Sequence, residues 1–212
     1  MKRLALIGSK DFAQQIRFFA EKTGDYEVVG YFDDFAQKGT MVDNIPIMGK
    51  IEDIFPLYKT NAFDCLFFAA GYNNFQFREK TFTALKGKVP FANIIMSNVR
   101  MIGKVQLGEG VFIGRDSVVN SNTIIDDNVF IHGETAIGHD NHIGSHTYIS
   151  GHFTSAGFVN IGNRCFMGLC VLVSDHISIC DDAWIGLGCI VAKDIKSPGK
   201  YMSPSAKLLK IE

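Results

Sequence analysis

Aliphatic side chains recur at every sixth residue through the second half of the chain, and this period decides what that half can fold into. Stepping from Met101 gives Leu107, Ile113, Val119, Ile125, Ile131, Ile137, Ile143, Ile149, Ser155, Ile161, Met167, Val173, Ile179, Ile185 and Val191, with only Ser155 departing. The next position is mostly small or turn-forming, as at Gly108, Gly114, Asn120, Asp126, Gly138, Gly144, Gly162, Gly168 and Gly186. Neither a helix nor an amphipathic strand holds such a phase for about ninety residues. A β-solenoid does, with short strands on flat faces and small residues at the turns between them.

A second period lies on the first. Phe112, Phe130, Tyr148, Phe166 and Trp184 are spaced eighteen residues apart. Three hexapeptides per coil make a triangular prism of about five coils, in which residues eighteen apart stack at about 4.8 Å, the spacing of paired strands. The five aromatic residues therefore form one column. It lies just before the inward position, so it is expected to point outward and to pack under another chain. The alternative is that part of it borders a ligand groove.

The first half obeys different rules. "RLALIG" is an apolar run ending in Gly8, and residues 10–23 carry Phe12, Ile16, Phe19 and Ala20 at helical spacing. "YEVVGYFDD" reads as a second strand, "IEDIFPLY" as a short helix and "DCLFFAAG" as a strand buried on both faces; residues 74–86 read as a helix and "FANIIM" as a last strand. Alternating strands and helices imply a small parallel sheet covered by helices, a Rossmann-like α/β domain over 1–97, followed by the solenoid over 98–212.

Composition excludes several functions. A net charge of −1 on 212 residues leaves no nucleic-acid footprint. No apolar run approaches a membrane span, and "LALIG" is too short for a signal sequence. Five cysteines without a CxxC read as reduced thiols of a cytoplasmic protein.

Four of the six histidines crowd into "IGHDNHIGSHTYISGH": His139, His142, His146 and His152. On a helix these spacings would suggest a metal site. On a triangular coil, residues three, four or seven apart project from different faces or corners, and only residues eighteen apart stack. The column through His139 is Ser121, His139, Gly157 and Asp175; that through His142 is Ile124, His142, Asn160 and Ser178. Neither offers a second soft ligand, so no metal is expected within one chain. Gly157, one coil above His139, admits a substrate close to the backbone. A histidine beside a backbone N–H suits acyl transfer, which needs a base and an oxyanion donor. His146 and His152 read as surface residues, and His142 as a possible assistant at the acceptor end.

Repeats of the form [LIV]-G-x-x-x-x behind a Rossmann-like domain resemble the left-handed β-helix sugar acetyltransferases that act on nucleotide-linked amino sugars or on sialic acid. "YFDDF" (31–35), "AAGYN" (69–73), "IGHD" (137–140), "SAG" (155–157) and the terminal "SPSAKLL" carry the resemblance, which covers the whole chain. It implies a homotrimer with acetyl-CoA in the groove between neighbouring prisms. It implies His139 as general base, Asp140 raising its basicity, and the Gly157 amide on acetyl-CoA. Tyr148 stands where relatives have a second histidine near the acetyl group, and Leu169 and Leu187 where backbones line the cofactor groove. For the acceptor, a UDP- or dTDP-amino sugar, it implies Ser9, Lys10, Asp33, Asp34, Ala70, Gly71 and Asn73. The "GSKDFA" loop (8–13) departs from the family's glycine-rich phosphate cradle, as "MSNVR" does from its usual entry to the β-helix. Lys193, Lys196, Lys200, Lys207 and Lys210 form a basic stretch suited to coenzyme phosphates. The same residues serve N- and O-acetylation equally, and the altered loop motivates a third reading, a trimeric scaffold or binding protein.

Overall fold

The computed structural model describes residues 1–70 and 73–204. The N-terminal part alternates β1 (Lys2–Ile7), α1 (Asp11–Thr23), β2 (Tyr26–Phe32), β3 (Met41–Val42), β4 (Ile45–Gly49), α2 (Ile54–Lys59), β5 (Cys65–Phe68) and α3 (Phe75–Leu85). The sheet order is β3-β4-β2-β1-β5. It is not wholly parallel: β3 and β4 form an antiparallel hairpin. Its two turn residues, Asp43 and Asn44, both have positive φ, the geometry a two-residue hairpin needs. Buried Leu4, Leu6, Phe67 and Phe68 fill the sheet's two faces.

The remainder is a left-handed parallel β-helix. Its first face is built from strands including Val118–Val119, Ala136–Ile137, Thr154–Ser155, Leu172–Val173 and Ile190–Val191. The second carries Val105–Leu107, Thr123–Ile125, His142–Ile143, Asn160–Ile161 and Ser178–Ile179. The third carries Phe112–Ile113, Phe130–Ile131, Tyr148–Ile149, Phe166–Met167 and Ala183–Ile185. Strands one coil apart pair in parallel register, Ile131 with Ile149 and Ile137 with its counterparts on the first face, so the six-residue series fills the interior. Ser155, the polar member, is inside too. Its hydroxyl accepts from Asn141 Nδ2 at 2.7 Å, so the exception is satisfied. Ile94–Ile95, expected in the N-terminal sheet, pairs instead with Phe112–Ile113 and forms the first rung of the third face.

A third regularity is invisible in hydropathy. From Asp116 to Asp182, every sixth residue has φ between +54° and +64°: Asp116, Asn122, Asn128, Glu134, Asp140, His146, His152, Phe158, Arg164, Cys170, His176 and Asp182. These are the prism corners, each three residues past an inward side chain. Asn, Asp and His tolerate the left-handed region better than most residues.

The lower rungs of the aromatic column, expected to pack under another chain, are covered by the chain's own N-terminal domain. Phe112 stacks on Phe130 at 4.3 Å, and Phe19 of α1 lies 5.5 Å from Phe112. Phe12 of α1 lies 5.2 Å from Phe130. The chain folds back because α1 carries an apolar face that two aromatic rungs can bury. Two polar fasteners from α3 complete the junction. Buried Arg78 donates to the side-chain and backbone oxygens of Asn128. Burial pushes its pKa down to about 10, so it remains a cation at neutral pH. Arg164 pairs with Glu79 at 2.9 Å.

Candidate active site

His139 and Asp140 occupy the corner between the first and second faces. His139 Nδ1 lies 2.7 Å from Asp140 Oδ2. An ionised carboxylate only accepts, so the bond puts the ring proton on Nδ1 and leaves the Nε2 lone pair free. Asn122, one coil below, donates to the other Asp140 oxygen at 3.1 Å. Those two bonds, the imidazole's first, hold the Asp140 carboxyl below its ordinary range.

Gly157 sits against the imidazole from the next coil. A Cβ built there would meet His139 Cε1 at 2.6 Å and Nε2 at 2.7 Å. The ring therefore rests on the glycine backbone, and no other residue allows that approach. Among the described residues no acceptor takes the Gly157 N–H. Its neighbours are bonded: Ala156 N–H to Val173 and Phe158 N–H to His139. Buried Asn141 ties this segment down, donating to Ser155 Oγ and the Ala156 carbonyl and accepting from Val159 N–H. One corner thus offers an oriented base beside an unused backbone donor.

Five of the residues expected to bind the acceptor come together elsewhere. A cavity of about 670 Å³ opens between the N-terminal domain and the third face. Ser9, Lys10, Asp33, Asp34 and Ala70 line it, with Phe12, Phe35 and Tyr148. Gly8 forms the tight turn after β1: its φ is +106°, and a Cβ there would meet Ala70 Cβ at 2.5 Å. Ser9 Oγ donates to Asp33 Oδ2 at 2.6 Å, and Phe35 N–H donates to Asp33 Oδ1 at 2.9 Å. Both Asp33 oxygens therefore shape the loop. Asp34 spends Oδ1 on Ile51 N–H. Lys10 is the N-cap of α1 and makes no side-chain capping bond. Asn73 borders a smaller hollow of about 230 Å³ with Arg164 and Trp184, and Asn74 lines the main cavity in its place. Gly71 lies outside the described residues, as do Lys207 and Lys210.

One placement departs from the sequence reading, that of His146. Tyr148, expected near the acetyl group, lies on the third face, opposite the His139 corner of its own chain. The reason is arithmetic: nine residues are half a coil. Leu169 and Leu187, exposed at 49% and 66%, lie at the corner between the third and first faces, also away from His139 within one chain. His146, expected at the surface, is 5% exposed. It bonds to Asn128 Nδ2 at 3.0 Å and meets Phe82 of α3 edge-on. Burial first, and the nearby Arg78 cation second, push its pKa down to about 4. His142 and His152 are exposed and pair with Asp126 and Glu134. Sequence reasoning missed Asn122 and Asn141. The eighteen-residue step back from Asp140 finds the first; the second is two residues past His139.

Among the described residues no cluster of His, Cys, Asp or Glu is placed to hold a metal ion, and no helix is long and apolar enough to cross a membrane. Residues 3–85 match the PglD N-terminal domain family. A stretch of 107 residues is 36% identical to UDP-3-O-acylglucosamine N-acyltransferase of Bordetella avium, covering 49% of this chain and 30% of that protein. The chain thus spans under a third of the length of the curated relatives it matches. A mutant of perosamine N-acetyltransferase from Caulobacter crescentus, solved with CoA and GDP-perosamine, superposes with a TM-score of 0.87 at 21% identity, covering 96% of this chain and 94% of that one. The acetyltransferase domain of PglB from Neisseria gonorrhoeae, solved with acetyl coenzyme A, gives 0.83 at 21% identity over 98% and 99%. At such identities these two likenesses are likenesses of fold. Residues 3–85 thus form a domain of the PglD N-terminal type, and the coils behind it share repeats with sugar N-acyltransferases and a fold with sugar acetyltransferases.

Proposed function

We propose that this protein is a cytoplasmic, homotrimeric N-acetyltransferase that moves acetyl from acetyl-CoA to the amine of a nucleotide-linked amino sugar. One observation carries the reading: an imidazole oriented by a carboxylate rests on a glycine whose N–H is unused. The neutral acceptor nitrogen attacks the thioester carbonyl, and the Gly157 N–H steadies the oxyanion. His139 Nε2 takes the proton from nitrogen as the tetrahedral intermediate forms. The C–S bond then breaks, and the imidazolium returns the proton to the departing thiolate. Nitrogen is favoured over oxygen as acceptor because the relatives found by both sequence and fold act on amines.

The trimer has its own support. The first face presents Val118, Ala136, Thr154, Leu172 and Ile190 outward, with Leu172 45% and Ile190 75% exposed. The second face presents Gln106, His142, Asn160 and Ser178 instead. Copies arranged around an axis that faces the first face bring the His139 corner of one against the Leu169 and Leu187 corner of the next. That neighbour's cavity, with Ser9, Lys10, Asp34 and Tyr148, then borders the same groove. A ring of such heterologous contacts closes.

The test is acetyl transfer from acetyl-CoA to UDP-, dTDP- and GDP-linked amino sugars. His139→Ala is expected to lower kcat by about 10²- to 10⁴-fold at unchanged melting temperature. Turnover near that of the unmutated protein would overturn the base assignment. Binding of neither acetyl-CoA nor any nucleotide sugar would favour the scaffold.

A further inference from the structure

The base has a third neighbour. The Phe158 ring stands perpendicular to the His139 imidazole, 5.1 Å between centroids and 88° between planes. Its other contact is His176, stacked at 4.7 Å and 6°. The three rings climb one edge of the prism in successive coils.

Phe158 is badly suited to its corner. Its φ is +58°, a region that disfavours bulky side chains. The other corners of the column are Asn122, Asp140 and His176, all residue types that accept it. Nor does burial account for the phenylalanine, which is 49% exposed. The coil imposes that conformation here as at Glu134, Arg164 and Cys170, so what calls for an explanation is the choice of a half-exposed aromatic ring edge-on to His139.

The explanation lies in how His139 is held. The Asp140 bond fixes one ring atom, and Gly157 supplies a floor. One half-exposed hydrogen bond restrains rotation about Cα–Cβ and Cβ–Cγ only weakly. A wall perpendicular to the ring adds the missing restraint, and His176 backs that wall. We infer that Phe158 is a positioning residue, which locks the His139 imidazole over Gly157 with Nε2 aimed at the reacting nitrogen. This rests on His139 being the base.

Phe158→Asn tests it, because asparagine suits the corner and already stands at Asn122 and Asn128. The variant is expected to melt at or above the temperature of the unmutated protein. Its kcat is expected to fall about ten- to a hundredfold, the cost of a misplaced catalytic group, with KM for acetyl-CoA unchanged. Phe158→Tyr keeps the ring and is expected to restore kcat. Histidine-selective NMR gives a readout that needs no turnover. The His139 ring signals, shifted by the Phe158 ring current, are expected to move and broaden in Phe158→Asn and not in Phe158→Tyr. Unmoved His139 signals, or full kcat in Phe158→Asn, would overturn the inference. If His139→Ala stays active, the base reading falls on its own, and the NMR comparison still reports whether Phe158 positions the ring.

Discussion

His146 and His139 stand seven residues apart and meet opposite fates. His139 is half exposed, with one nitrogen free for chemistry; His146 is sealed beneath α3 beside a buried arginine. The sealed one makes stability depend on pH. In the unfolded chain it titrates near the ordinary histidine value of about 6.5, and in the fold only near 4. Between those values the unfolded state binds the proton and the folded state does not. Stability therefore falls as pH drops from about 6.5 to about 4, by about 2 to 3 kcal/mol from this residue. His146→Asn keeps a left-handed corner and removes the proton site. Urea unfolding across that window is expected to show a flatter slope for the variant; parallel slopes would refute the assignment. The sequence could single out His139 because coil stacking brings Gly157 to it, and stacking is pure counting. It could not unmask His146, since nothing in the count says which corner α3 covers.

The aromatic column was legible for the same reason as the core: both are sums of six. What covers it was not, because a repeat specifies how coils stack and says nothing about where a preceding domain lands. α1 settles that with Phe12 and Phe19 against Phe130 and Phe112. The lower rungs should then hold the two domains together. Phe112→Ala, at a site 1% exposed, is expected to cost about 3 to 5 kcal/mol and to open α1 to protease. Phe166→Ala, higher in the column and half-buried, is expected to cost less. Equal losses would mean that the column serves the solenoid alone. The left-handed corners were the least legible element. Asn and Asp at Asn122, Asn128 and Asp140 hinted at them, but Glu134, Arg164 and Cys170 sit in the same conformation. There the closed coil overrides residue preference, and only coordinates reveal it.

At the scale of the molecule, His139 and the cavity lined by Ser9 and Lys10 lie on opposite sides of one prism, so under the proposed function a single copy has no complete site. Mixed assembly tests this directly. His139→Ala lacks the base, and Ser9→Trp fills the cavity. If each is inactive alone, random reassembly of equal amounts pairs a competent corner with a competent cavity at about one junction in four. About a quarter of the original activity should return; none would mean that each copy works by itself. The altered "GSKDFA" loop also looks different at this scale. Lys10 and the start of α1, which has no side-chain cap, face the cavity, so a cation and helix amides stand where the family it resembles has a glycine cradle.

Because a coil is eighteen residues, the gene can change this protein's length in only one harmless unit. Adding or removing eighteen residues inserts or deletes a storey and leaves every face where it was. A change of six turns all later storeys by one face, which would carry the upper aromatic rungs and half the groove away from their partners. A change of one exchanges core for solvent. The reach of the groove is therefore quantised, in steps of about 4.8 Å, and a longer or shorter second substrate would have to be met in whole storeys.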